Sequence, residues 1–401
     1  MTVNIDPESP LELAVTSLME AAAVATGLDD WGPDRSFVAG LQAVVDAMAG
    51  VDHHPAVVEG FRNHMVGLLS TRLHLVDDQQ HHPDILEGRV ERPVILIGLA
   101  RTGTTILHDL LALDPDARAP REWETAAPWP APETASWDTD PRIAAVDAQL
   151  ENLLQAAPQL RAMHPWGARL PSDCLNMMAL HFASAAFWAA YSIDDFARWL
   201  VTDPVEGLYR THRRILQQLQ WKGPQGRWTL KEPTHQLRLQ ALVAAYPDAC
   251  LVQTHRDPGR TIPSAADLVH TIQAISKPDQ DPVATGAMAM DLFGACIDVS
   301  TAARSAGPAL DDRILDVAYA DTVTDPVGQV RRIHEHFDLP FSAEHAQRIE
   351  NHLAQESQAK HGKHTYTAAQ YGLDDHALAA AFPAYRNRFG HLLAEPDRSH
   401  T

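Results

Sequence analysis

Apolar positions recur every three to four residues across 11–27, 37–48 and 55–75. That spacing gathers them on one face of a helix, so three N-terminal helices are expected. GLDDWGPD and VDHHP interrupt the pattern, because Gly, Pro and Asp favour turns. The pattern changes at residue 93. Short apolar runs at 94–98, 227–231, 250–254 and 314–318 read as buried strands, with helical patterns between and after them. Further helices are expected at 103–113, 141–156, 172–191 and 204–220. Asp325 followed by Pro326 is an N-cap with proline in the first turn, opening a helix to about Phe337. Strand–helix alternation from 93 onward implies an α/β fold with a parallel central sheet flanked by helices. The expected organisation is a helical region over 1–90 packed on an α/β domain over 91–401, with a helical insertion at about 140–220.

One stretch tests the limits of periodicity. Residues 174–193, CLNMMALHFASAAFWAAYSI, contain no Asp, Glu, Lys or Arg and are long enough to span a bilayer. Asn176, His181 and flanking Asp173, Asp194 and Asp195 favour a buried helix instead, one lining an apolar cavity. No basic segment with an apolar core opens the chain, which leaves a secretion signal without support and gives cytoplasmic as the expected location.

Composition narrows the partners. The chain has 401 residues with 32 Lys+Arg against 52 Asp+Glu, a formal net charge of −20. That field argues against nucleic acid or an anionic membrane as the main partner. An anionic small molecule would need a local basic pocket. Only five residues are lysine, at 222, 231, 277, 360 and 363, so each draws attention. Cys174, Cys250 and Cys296 are scattered and odd in number, as in a reducing compartment, and show neither disulfide nor zinc spacing. No metal is expected from sequence. The oligomeric state is left open, a homo-oligomer included.

The chemistry begins at Gly98-Leu-Ala-Arg-Thr-Gly103-Thr104-Thr105, between a strand and a helix. Its frame fits the nucleotide loop G-x-x-x-x-G-K-[ST], but Thr104 stands at the lysine position and Arg101 lies inside the turn. Backbone N–H groups of such a turn form an anion nest, reinforced by the helix N-terminus. Without the lysine the loop loses its reach to the outer phosphates of ATP. A second candidate is Lys231, at the end of an expected strand in RWTLKEPTH. A third is Arg256 in THRDPGR, with Ser264 eight residues on. Arginine offers a planar fork of donors suited to phosphate.

These pieces, in this order, resemble the sulfotransferases that use 3′-phosphoadenosine 5′-phosphosulfate (PAPS), in their bacterial, arginine-loop branch. The resemblance covers about residues 93–390 and implies a P-loop-like fold, PAPS as sulfuryl donor and no metal in the reaction. It assigns Arg101, Thr102, Gly103, Thr104 and Thr105 to the 5′-phosphosulfate and Arg256 with Ser264 to the 3′-phosphate. Tyr319-Ala320-Asp321 matches the segment that touches adenine. Lys360, Gly362, Lys363 and His364 match a closing basic loop. Ile106 stands where cytosolic members place an aromatic ring, so adenine stacking falls to Tyr319. Arg101 and Lys231 would neutralise charge developing on the bridging oxygen.

The acceptor hydroxyl needs a base. Glu122, in APREWETAAP, matches the glutamate of protein-tyrosine sulfotransferases in its spacing from the loop. His235, in KEPTH, is the alternative, because small-molecule sulfotransferases use histidine. Residues 160–200, with the tryptophan-rich loop at 123–137, suggest an apolar pocket and hence a hydrophobic small-molecule or lipid acceptor bearing a hydroxyl. Two other readings compete. A nucleotide-dependent kinase with a degenerate loop would need a Mg²⁺-binding carboxylate such as Asp316 or Asp257. A non-catalytic nucleotide-binding protein would be expected to have lost Lys231 or the Arg256–Ser264 pair.

Overall fold

The computed structural model describes residues 13–356 and 365–395. Five strands form one parallel sheet: β1 (Val94–Leu96), β2 (Ala117–Arg118), β3 (Arg227–Lys231), β4 (Cys250–His255) and β5 (Ile314–Ala318). Their order is β2-β3-β1-β4-β5. Strand β1 therefore lies between β3 and β4, with Leu96 level with Lys231 on one side and Val252 on the other. Chain order reverses there, and such a switch point opens a crevice at the C-terminal strand ends. The loop after β1 and Lys231 at the end of β3 meet at that crevice.

The sheet is buried on both faces, which is why its strands read as continuous apolar runs. Val94 and Leu96 pack with Leu107, Leu111, Val252, Val317 and Ile333. Ile95 and Ile97 face the other way, into a core shared with Leu230 and Leu251. The same core contains Leu18 of α1 (Val15–Thr26), Phe37 of α2 (Phe37–Ala49) and Leu73 of α3 (Pro55–His81). The N-terminal helices thus complete one face of the sheet.

Most expected elements fall where the pattern put them, and the helix Pro141–Ala156 matches end to end. Asp325 caps the helix Pro326–His336 by accepting from Gly328 N–H. Strand β2 was not anticipated, since two residues carry no period.

The larger correction concerns 172–191. It is two short helices, Leu175–Ala179 and Ala186–Tyr191, not one. Phe182 takes a positive φ of 54°, and Ser184 Oγ accepts from Ala186 N–H at the start of the second helix. His181 spends its ring on Glu206 O and Thr211 Oγ1. The break lets the backbone at 181–182 lie against Gly40 of α2, where a Cβ would meet Phe182 O at 2.5 Å. Met177, Met178, Phe182 and Phe187 are core residues packed with the N-terminal helices, rather than the lining of an apolar cavity. Helix Asp194–Thr202 then precedes Leu208–Trp221, where one helix from 204 was expected. Gly207, at φ 79°, starts the second of these.

One described helix, Pro282–Ala306, is long and apolar enough to cross a membrane, but 56% of its apolar window is buried within the protein. It also carries Arg304, which is buried and bonds both oxygens of Asp316 at 2.6 and 2.8 Å.

Candidate active site

The loop after β1 is shaped by two glycines. A Cβ at Gly98 would sit 1.8 Å from Thr254 Oγ1 of β4, so only glycine fits there. Gly103 has φ 84°, and a Cβ on it would meet the Tyr319 ring at 2.9 Å. The helix Thr104–Ala112 follows, and its first-turn N–H groups lack acceptors within the helix. Thr102 does not offer its hydroxyl to a ligand. That side chain is buried and bonded to Leu99 O and Thr254 Oγ1, so it holds the turn to the sheet.

Arg101 occupies the left-handed region, with φ 68°, a conformation that side chains adopt only under constraint. Three bonds supply the constraint. Its Nε donates to Ser264 Oγ at 3.0 Å and its Nη1 to Met163 O at 2.8 Å. Its own carbonyl accepts from Arg256 Nη1 at 3.2 Å. Arg256 in turn lies over the Tyr319 ring, 4.0 Å from the centroid. Arg101, Ser264, Arg256, Tyr319 and Gly103 therefore form one group, although they come from four segments of chain. Burial, and after it the like charge of Arg256, lowers the Arg101 guanidinium from its ordinary value. Two cations held together in this way favour an anion between them.

The Arg256 fork is already engaged. Glu395 accepts from Nε at 2.8 Å and from Nη2 at 2.9 Å, a bidentate carboxylate at the position that the resemblance gives to a phosphate. Lys360, Gly362 and Lys363, expected to close over the same phosphate, lie outside the described residues, as does His364.

The second group surrounds Lys231. Its Nζ donates to Thr105 Oγ1 at 3.1 Å and pairs with Asp173. Burial works to raise the Asp173 carboxyl, but the Lys231 charge and bond outweigh it and hold it below the usual range. Glu122 stands beside this pair. Its Oε2 accepts from Ser172 Oγ at 2.5 Å and its Oε1 from Asn176 Nδ2 at 2.9 Å. Burial pushes its carboxyl up, the Asp173 charge adds to that, and Ser172, Asn176 and Lys231 oppose it. Two carboxylates flanking one lysine are thus driven in opposite directions, an arrangement that separates an ionised partner from a proton acceptor. His164 is nearby and is lowered to about 4, first by burial. Asp173 carried no motif, and its position next to an uncharged run was the only signal.

Glu122 is positioned by a buried ion pair. It opens the short helix Glu122–Ala126, which Glu124 anchors by accepting from Arg118 Nη2 at 2.6 Å and from Arg121 N–H at 3.0 Å. Both partners of the ion pair are essentially unexposed. Glu124→Gln keeps the shape but removes the charge-assisted bond. Chemical denaturation should show a loss of about 1.5–3 kcal/mol. An unchanged midpoint would mean that the turn is held by other contacts.

His235 belongs to a different place. The ring is fully buried, bonded through Nδ1 to Tyr209 OH at 3.0 Å and packed against His212. Burial, then His212 and Arg238, drives it well below the ordinary imidazole value. A base must reach the acceptor proton, and a ring sealed in the core does not. The carboxylates that a kinase would need are also committed. Asp316 is held by Arg304 and by His255 Nε2 at 2.7 Å. Asp257 caps the helix Pro258–Ser276 and bonds Arg386.

Comparison with known proteins gives a consistent result. A family model described as "Sulfotransferase family" matches residues 93–343. Two curated relatives, from Mycobacterium bovis and Mycobacterium tuberculosis, are named omega-hydroxy-beta-dihydromenaquinone-9 sulfotransferase Stf3. Each is 25% identical over 302 residues, covering 71% of this chain and 72% of the relative. Among solved structures, sulfotransferase STF9 from Mycobacterium avium superposes with a TM-score of 0.85 at 28% identity, covering 98% of this chain and 100% of that one. Sulfotransferase STF1 from Mycobacterium tuberculosis gives 0.79 at 28%, covering 93% and 98%.

Proposed function

Because the chain belongs to the sulfotransferase family, an enzyme family whose sulfuryl donor is PAPS, we propose that it sulfates a hydroxyl of an apolar, lipid-like acceptor, with Glu122 as base and Lys231 as the charge-stabilising cation. One observation carries the residue roles: Lys231 bridges Thr105 of the phosphate loop and Asp173, with Glu122 on the same side. Glu122 takes the acceptor proton while the acceptor oxygen bonds to sulfur. The bond between sulfur and the bridging oxygen breaks, and negative charge moves onto the departing nucleotide phosphate. Lys231 and Arg101 stabilise that charge where it develops, and Asp173 holds the ammonium in place.

The apolar acceptor is supported by the mouth of the site. Glu122 N–H donates to Leu170 O, and Leu170 and Ile106 are exposed large apolar residues beside the base and on the loop helix. Met163 and Leu160 pack with Leu268 and Ile272 next to Arg101. The acceptor region is thus the 160–173 half of the segment singled out from sequence, while the 175–200 half is largely core. The relatives named for a hydroxylated menaquinone support the same class of acceptor.

Thermal shift with PAP, the desulfated product, tests donor choice. PAP should raise the melting temperature without Mg²⁺, and ATP should do so far less. Equal stabilisation by ATP would remove the reading. Sulfuryl transfer to hydroxylated isoprenoid quinones, against phenols and sugars, tests the acceptor.

Glu395 makes a separate expectation. Its carboxylate and a 3′-phosphate would claim the same fork of Arg256. Glu395→Gln should therefore tighten PAP about two- to five-fold, the worth of a partly exposed ion pair. Calorimetry showing weaker binding would instead make Glu395 part of the closed site.

A further inference from the structure

We propose that Cys174, His212 and His235 form a buried structural metal centre for zinc, directly beneath the active site. The three residues are fully buried, and the Sγ and two ring nitrogens lie within 4.8 Å of one another. His212 Nε2 and His235 Nε2 have no hydrogen-bond partner despite being buried. Buried polar atoms are nearly always paired, and an exception asks for a cause such as a missing ion. Here two exceptions sit beside the same thiol.

The far side of each ring supports the assignment. His212 Nδ1 meets Tyr246 OH at 2.6 Å, and His235 Nδ1 meets Tyr209 OH at 3.0 Å. An Nδ1–H donated to each phenol oxygen leaves the lone pair on the unpartnered Nε2. Fixing the tautomer through the other ring nitrogen is how outer partners prepare histidine ligands. Donors of type S, N and N suit zinc over magnesium or calcium. Ligand atoms of a tetrahedral zinc site stand about 3.3–3.6 Å apart, so binding contracts the trio modestly. Glu232 Oε2 is also buried without a partner, but it lies outside the cluster of three, so the fourth position would fall to a water or need that side chain to shift. On binding, the Cys174 S–H bond breaks, its proton leaves to solvent and the sulfur lone pair bonds the metal, with no change of oxidation state.

The centre has a positional consequence. Cys174 follows Asp173, the partner of Lys231, and its N–H donates to Lys231 O at 2.9 Å. His235 follows Lys231 by four residues. The metal would clamp both segments that carry the Lys231–Asp173 pair.

A second buried trio, Asp114, His334 and His345, supplies an internal control. There His345 Nδ1 is also unpartnered, but Arg227 already gives Asp114 a cation at 2.6 Å.

The full-length chain, purified from zinc-supplemented cells, should contain one zinc per molecule by elemental analysis after dialysis against EDTA. Refolding with Co²⁺ should give a thiolate-to-cobalt charge-transfer band. Cys174→Ser and His212→Gln should lose the metal, while His345→Gln should keep it. Folded native protein far below one equivalent after refolding with excess zinc, with no cobalt–thiolate band, overturns the proposal. So does full zinc retention in folded Cys174→Ser. If those variants fail to fold, the cobalt spectrum of the native chain decides alone.

Discussion

Glu122→Gln should bind PAP normally and lose about 10²–10⁴ in kcat, the usual worth of a positioned base. Glutamine keeps the size and can accept from Asn176 Nδ2 through its single oxygen while its amide N–H donates to Ser172 Oγ, but it cannot take the proton. Because burial raises Glu122, the acid limb of kcat/KM should lie above the ordinary glutamate range and disappear in the variant. Stability separates this from a folding defect. A carboxyl raised in the folded state favours the fold while protonated, and that contribution is lost as pH rises through the folded pKa. At neutral pH the variant should therefore be at least as stable as the native chain. Across phenols of graded pKa its deficit should shrink, since an acidic hydroxyl needs less help, whereas a Lys231→Ala deficit should persist. His235→Asn with a large kcat loss at unchanged stability, beside a near-normal Glu122→Gln, would reverse the assignment.

Arg256→Ala should weaken PAP by about 2–4 kcal/mol if its fork grips a desolvated phosphate. Adenosine 5′-phosphosulfate lacks the 3′-phosphate and is the control. Arg256 also donates to Arg101 O and lies over Tyr319, so part of the loss will come from loosening the loop, and that part should appear with both ligands. The excess seen with PAP measures the phosphate contact. Equal losses would make Arg256 purely a strut for the loop.

The architecture was legible because burial on both faces writes parallel strands as apolar runs, and because each run led into a helical period. Val94, Arg227, Cys250 and Ile314 open strands in the structure as in the pattern. The phosphate loop was legible for a local reason: its glycines answer to close contacts and a positive φ, which few residues tolerate. The helix at 172–191 failed because composition cannot show where a chain must turn to admit a neighbour. The turn there is set by α2, more than 130 residues earlier, whose Gly40 lies against its backbone.

The site divides along the same line. Sequence alone determined the sheet class and the loop; its motifs singled out Arg101, Lys231 and Arg256 as candidates, and the family resemblance added Glu122 beside His235. Only the tertiary structure decided their company: that Glu395 lies on Arg256, that Asp173 holds Lys231, and that His235 is sealed beside Cys174 and His212. The physical reason is that motif chemistry is carried by local backbone geometry, which neighbouring residues dictate. The state of a carboxylate, lysine or histidine is set instead by burial and by partners as far as 235 residues away, and chain order does not record these.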